Sequence, residues 1–311
     1  MRSTGKTIIR LTNSEPIMSN DNQDAARSPE KHSKGENNSH IKSCQARTKE
    51  LASQYAIDHL ISGDQEKDIT ERTLLRNKRE TQRQQENLER IFKLAYDSSN
   101  DKTAGDPDPD WLYHFISIAK NIHGAAMQRL WSQILKQEVS TPGSTSLKAL
   151  DTLKNMTNRE AQTFHRACML ACHFGNDHNK KLLTSIKVRH GILSLLRSPS
   201  NDKLALGNYQ LPYSNLLVLM DLGLLLRSEL ESGEITLESS LAFGYQGTHY
   251  LLKPVKKGIT LTYYRLSPTG QEIAKLLGMK NHEPYKESLL ELLSKHFIVE
   301  KSDSSQVKVS A

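Results

Sequence analysis

MQRLWSQILKQEVSTPGSTSLKAL, residues 127–150, decides how the chain is read. Met127, Leu130, Trp131, Ile134 and Leu135 recur at three-and-four spacing, the signature of a helix with one buried face. Pro142 cannot continue that helix, and Gly143 admits backbone angles that other residues avoid. Ser144 or Ser146 then caps a second helix from Leu147 to Met156. The stretch therefore reads as helix, rigid elbow, helix. Trp111, Trp131, Pro142, Gly143 and Ser144 are expected to serve architecture rather than chemistry.

The neighbouring segments extend this pattern. Helix 111–122 carries Trp111, Leu112, Phe115, Ile116, Ile118, Ala119 and Ile122, and should pair with 125–138 around Asn121-Ile122-His123-Gly124. DPDPD, 106–110, is an extended linker whose Asp110 is placed to cap helix 111–122. Its three carboxylates lack the glycine turn and bidentate Glu of a calcium loop. TNRE at 157–160 is a capping box for a helix running to 174. Helical pattern is expected to continue through 182–196.

Upstream, residues 1–45 are too polar to bury a core and are expected to form a disordered leader. Residues 46–98 read as two helices. Leu51, Tyr55, Ile57, His59, Leu60 and Ile61 are candidate buried positions of the first. The second, 65–96, is long and charged, with no large apolar residue between Arg76 and Asn87. Arg72, Arg76, Lys78, Arg79 and Arg83 form the strongest basic cluster in the chain, a candidate partner- or polyanion-binding ridge.

Downstream of the helical domain, 106–197, residues 204–280 read as a small module. Helix 212–221 is followed by strands 248–255 and 259–266 turning at Lys256-Lys257-Gly258, then by a helix capped by Ser267 with Pro268 in its first turn. That order resembles a winged helix. The helix that would enter a DNA groove contains no Lys or Arg, so phosphate contact would fall to Lys253, Lys256, Lys257 and Arg265. Residues 281–311 read as a leucine-rich helix, 284–297, and a frayed tail from Lys301. The fold class expected is therefore mainly α: packed helix hairpins, then a small winged-helix-like α+β module.

DPDPDW, MQRLWSQILKQE, STPGSTSLKALDTLKNMTNREAQTF and YYRLSPTGQEI together resemble a family of uncharacterised gammaproteobacterial proteins, related to a wider domain of unknown function in bacterial and phage-derived genes. The resemblance covers most of residues 50–280. It implies a shared fold and supplies no catalytic residues.

The three cysteines, Cys44, Cys168 and Cys172, are too few for a disulfide framework and imply reduced thiols. With no apolar run long enough to span a bilayer and no signal-like start, a cytoplasmic protein is expected, without membrane attachment. His165, Cys168 and Cys172 would share a helix face and could hold zinc with His178 or His190, but Cys168 sits in an apolar stripe and reads as core. TGKT at 4–7 lacks the glycine and strand of a phosphate loop, and no Gly-x-Ser-x-Gly or His-Glu-x-x-His occurs. His114, His123, His165 and Glu138 are expected to be structural. No catalytic residue, metal or cofactor is assigned. The expectation is a non-catalytic protein-interaction or regulatory scaffold, whether its partner is another protein or a second copy. The net charge of +7 keeps a nucleic-acid-associated regulator as the alternative, with an enzyme of unrecognised site as a third reading.

Overall fold

The structure, a computed structural model, describes residues 43–63, 68–99, 104–189 and 200–302. Most of the leader, His190 through residue 199 and the tail from 303 lie outside the described residues. Helices α1 (Cys44–Gln54), α2 (His59–Ser62), α3 (Ile69–Ser98), α4 (Pro109–Ala119), α5 (Ala125–Ser140), α6 (Leu147–Asn155) and α7 (Asn158–Leu170) come first. Then β1 (Cys172–Phe174), β2 (Asp177–Val188), β3 (Ser200–Lys203), α8 (Tyr213–Asp221), β4 (Leu230–Glu231), β5 (Leu241–Tyr245), β6 (Thr248–Pro254) and β7 (Ile259–Arg265) follow. The order closes with α9 (Pro268–Leu276), α10 (Glu283–Ser294) and β8 (Phe297–Ser302).

The expectation of a mainly α chain with a small winged module is corrected by an eight-stranded antiparallel sheet. Its order is β4-β7-β2-β1-β5-β6-β8, with β3 also on β2. The two strands expected to form a wing both exist but do not pair. β6 lies between β5 and β8, while β7 lies between β2 and β4. The segment read as continuing helix over 182–196 is, through Val188, the second half of β2. The helix expected to reach 174 stops at Leu170, where Gln246 takes over its last carbonyls. The Gln246 side-chain amide donates to the carbonyls of Cys168, Met169 and Ala171 at 2.8, 3.0 and 3.3 Å. That service explains a glutamine at a φ of 45° in the tight β5–β6 turn, a backbone region that ordinarily favours Gly or Asn.

The helix starts follow their capping chemistry. Asp108, not Asp110, caps α4, accepting from Trp111 N at 2.9 Å with Pro109 in the first turn. Ser146 rather than Ser144 caps α6, and Thr157 and Glu160 form the expected reciprocal box on α7. Ser267 caps α9 as read.

The elbow after α5 is held from three sides. Glu138, 1% exposed, accepts from Gly143 N (2.6 Å), Ser144 Oγ (3.1 Å) and Thr145 N (3.0 Å). The Trp111 indole donates to the Thr145 carbonyl at 2.8 Å. Glu272 of α9 accepts from Ser146 N and Oγ at 2.9 and 2.7 Å. Gly143 adopts a φ of 78°, the left-handed region its position demands. The turn thus joins the helical layer to the helix that follows β7. Buried side chains from Ile91 to Phe297 form one cluster, in which Phe115 stacks on Trp111 at a centroid spacing of 5.2 Å and meets Trp131 at a 45° tilt and 5.3 Å.

The first helix departs most from its expectation. Of α1, only Ala52 is buried; Ile57 is 61% and Leu60 94% exposed, and Leu51, Tyr55 and Ile61 are also exposed. Just past the end of α1 stands Ala56, an alanine with a φ of 56°, after which Ile57 N reaches back to the Ala52 carbonyl at 2.9 Å. A Cβ in this conformation costs about 1 kcal/mol. Ala56→Gly is therefore expected to raise stability by a comparable amount in urea unfolding; a loss of stability would show that Ala56 is not held in this conformation.

Candidate functional surfaces

The basic ridge is real as a stripe, and two of its members are partly committed to α1. Arg72, Arg76, Arg79 and Arg83 follow one another at intervals of four, three and four, so they share one face of α3, whereas Lys78 turns away from it. Arg79 donates to the Ser53 carbonyl at 2.9 Å and Arg83 to the Gln54 carbonyl at 2.7 Å, so both close the C-terminal end of α1. Arg83 also lies 4.5 Å over the Tyr55 ring. The basic residues expected on a wing are separated as well. Lys253 pairs with Glu300 of β8 at 2.7 Å, and Arg265 lies 3.4 Å from Asp177. Lys256 and Lys257 remain exposed, with no ion pair among the described residues.

The thiols and histidines do not converge. Cys168 is on α7 and Cys172 on β1, both buried, so the common helix face expected for them and His165 does not exist. Burial pushes both thiols up to about 12. Cys44 is exposed. A thiol reagent at pH 8 should thus modify one cysteine rapidly in the native chain and all three after unfolding; rapid modification of two or three in the native state would contradict this burial. His173, His178 and His249 cluster instead on β1, β2 and β6, with ring centroids 6.0 and 5.7 Å from that of His173. Burial, then His249, His178, Lys181 and Lys180, hold His173 down to about 4, so it is neutral at pH 7. Among the described residues, no group of three or more His, Cys, Asp or Glu is arranged to hold a metal. His114 pairs with Asp151 at 2.9 Å, joining α4 to α6.

Lys181 shows how thoroughly polar groups are absorbed. It is 2% exposed, donates to the carbonyls of Phe174, Asp177 and Asn179 at 3.3, 2.8 and 3.3 Å, and lies 4.8 Å over the Phe174 ring. It locks the β1–β2 turn, and burial lowers its pKa.

Among the concave surfaces of the described residues, two combine cations with apolar lining away from the α1–α2 underside. A groove of about 490 Å³ runs between α5, α7 and the end of α9. Its floor is Met127, Leu130, Ala161, Leu276 and Leu277. Its rim is Arg129, Arg166 and His165, with no Asp or Glu among the lining residues. Burial, then Lys280 and Arg166, lower the pKa of His165, a sign of the positive field there. Sequence reading does not single out Arg129 or Arg166, because each is an ordinary cation on its own helix until the fold sets α5 beside α7. The second surface is a cleft of about 270 Å³ between the α1–α2 turn, α3 and the α4–α5 loop, lined by Arg76, Arg79 and Arg83.

The molecule is thus an α+β protein whose helical layer and antiparallel sheet share one interior, with the groove and the cleft both bordered by its helices. The chain belongs to the family described as protein of unknown function (DUF2806), which matches residues 71–290. No curated protein and no solved structure matches it. Among the described residues, no helix is long and apolar enough to cross a membrane.

Proposed function

We propose that this chain is a non-catalytic binding scaffold whose groove between α5, α7 and α9 holds an acidic amphipathic helix of a partner protein. The observation that carries this reading is the pairing of an apolar floor with an uncompensated cationic rim. Apolar anchors at helical spacing would fill the floor, and carboxylates on the partner's flank would meet Arg129 and Arg166. Absorption of the conspicuous polar residues, Glu138, Glu272 and Lys181, into structural hydrogen bonds supports a binding role over a catalytic one.

A photo-crosslinking residue at Gln162, which lines the groove, tests this in the native cell. The expected result is one discrete protein adduct whose linked peptide is an acidic amphipathic helix, and its loss in Arg166→Glu. An adduct indifferent to Arg166→Glu, or none, would overturn it.

The nucleic-acid alternative draws on exposed Lys256 and Lys257. It requires retention on DNA that falls steeply with salt and is abolished by neutralising Arg76, Arg79 and Arg83. The groove reading expects weak retention indifferent to those changes.

A further inference from the structure

The guanidinium groups of Arg72, Arg76, Arg79 and Arg83 on one helix face repel one another, and among the described residues none of these four makes an ion pair. Capping α1 explains one N–H each from Arg79 and Arg83, of the five each carries. It does not explain Arg76, whose one hydrogen bond among the described residues is to its neighbour Asn77, at 3.1 Å. Arg76, Arg79 and Arg83 open into the 270 Å³ cleft, where Glu80 is the one carboxylate among the lining residues. Glu80 accepts from Gln84 at 3.4 Å and lies beyond ion-pair distance of every arginine described. Three cations against one anion leave a net charge of +2 in the cleft.

The opposite wall adds a further donor of fixed direction. Asn87 Nδ2 donates to the Lys120 carbonyl at 2.9 Å, and Asn87 Oδ1 accepts from Gln128 at 3.0 Å, which sets the orientation of the Asn87 amide. Asn87 Nδ2 also lies 3.1 Å from His123 Nδ1. A nitrogen facing an amide N–H must accept, so the neutral His123 ring carries its proton on Nε2. His123 itself is among the residues that line the cleft.

We propose that this cleft binds a small phosphorylated molecule through a doubly charged phosphate group. Arg76, Arg79 and Arg83 grip its oxygens in the paired geometry that guanidinium groups offer, and His123 supplies a neutral donor. The net charge suits a dianion. The enclosure favours a small ligand over a nucleic-acid backbone, because two of the arginines turn toward the Ser53 and Gln54 carbonyls instead of standing along an open ridge. The α1–α2 segment forms one wall, so occupancy would also firm up an arm that buries almost no apolar surface of its own. This site is separate from the groove between α5, α7 and α9 and does not depend on it.

The test is calorimetric titration of the full chain with pyrophosphate and with ADP, at ionic strength matched by chloride, alongside a single-stranded 20-nucleotide DNA. Saturable binding of pyrophosphate or ADP is expected, weakened about tenfold or more in Arg76→Gln, since one charge-assisted pair is worth a factor of that order. Arg76 holds no other element, so this variant should keep the wild-type melting temperature. Lys257→Gln, remote from the cleft lining, should bind as wild type. Absence of binding by both phosphate compounds would overturn the proposal, as would equal affinity in Arg76→Gln. Tighter binding of the DNA, lost in the same variant, would overturn it in favour of a nucleic-acid backbone.

Discussion

Replacing Glu138 with alanine is expected to destabilise the protein by about 4 kcal/mol, measured by urea unfolding. The carboxylate is 1% exposed and takes three hydrogen bonds from the elbow, two of them from backbone N–H groups of Gly143 and Thr145. Charge-assisted bonds of this kind contribute roughly 1.5–3 kcal/mol each, and orphaned buried donors cost about 1–3 kcal/mol, with incomplete additivity. The damage should spread, because Thr145 also accepts the Trp111 indole and the next residue is tied to Glu272. Glu138→Gln keeps the shape but points an NH₂ at donors, so an intermediate loss of about 2 kcal/mol is expected. A loss below about 1 kcal/mol in the alanine variant would show that the elbow holds itself through Pro142 and Gly143 alone.

Trp131→Ala should cost about 3–5 kcal/mol, the range for emptying a large aromatic site. Trp131 is fully buried, packs at 5.3 Å from Phe115, and its indole N–H has no partner among the described residues. That last fact separates two contributions. Trp131→Phe forfeits volume but no hydrogen bond, so it should cost markedly less, about 1–2 kcal/mol. Equal losses from the two substitutions would mean that the N–H is bonded after all.

The helical half of this architecture is legible in the sequence because its signals are local. Thr157 and Glu160 stand three apart, Ser267 precedes Pro268, and Pro142-Gly143 breaks a clear three-and-four stripe. The sheet is hidden for physical reasons. β2 is buried along both faces, and the bulge between Leu183 and Ser185 shifts its register, so Leu182, Leu183 and Ile186 mimic a helical stripe. β1 is only three residues long, and β8 follows directly on a leucine-rich helix. The expected wing rested on sequence adjacency. β6 and β7 are adjacent in the chain but separated in the sheet by β5, β1 and β2, and nothing in their residues announces that. The arginine stripe was readable as spacing; that two of its members face the end of α1 depends on a turn at Ala56 that alanine does not signal. The groove rim was not readable at all, since Arg129 and Arg166 meet only through the packing of distant helices.

Helices and sheet share one interior, and two native probes report on the two halves. Trp111 and Trp131, the chain's two tryptophans, sit in the helical layer, while Cys172 is buried on β1. Urea unfolding followed by tryptophan emission and by pulsed labelling of Cys172 tests the claim most directly. A shared core predicts a single midpoint for both signals. Labelling of Cys172 at urea concentrations where the tryptophan signal is still native, or the reverse, would contradict it.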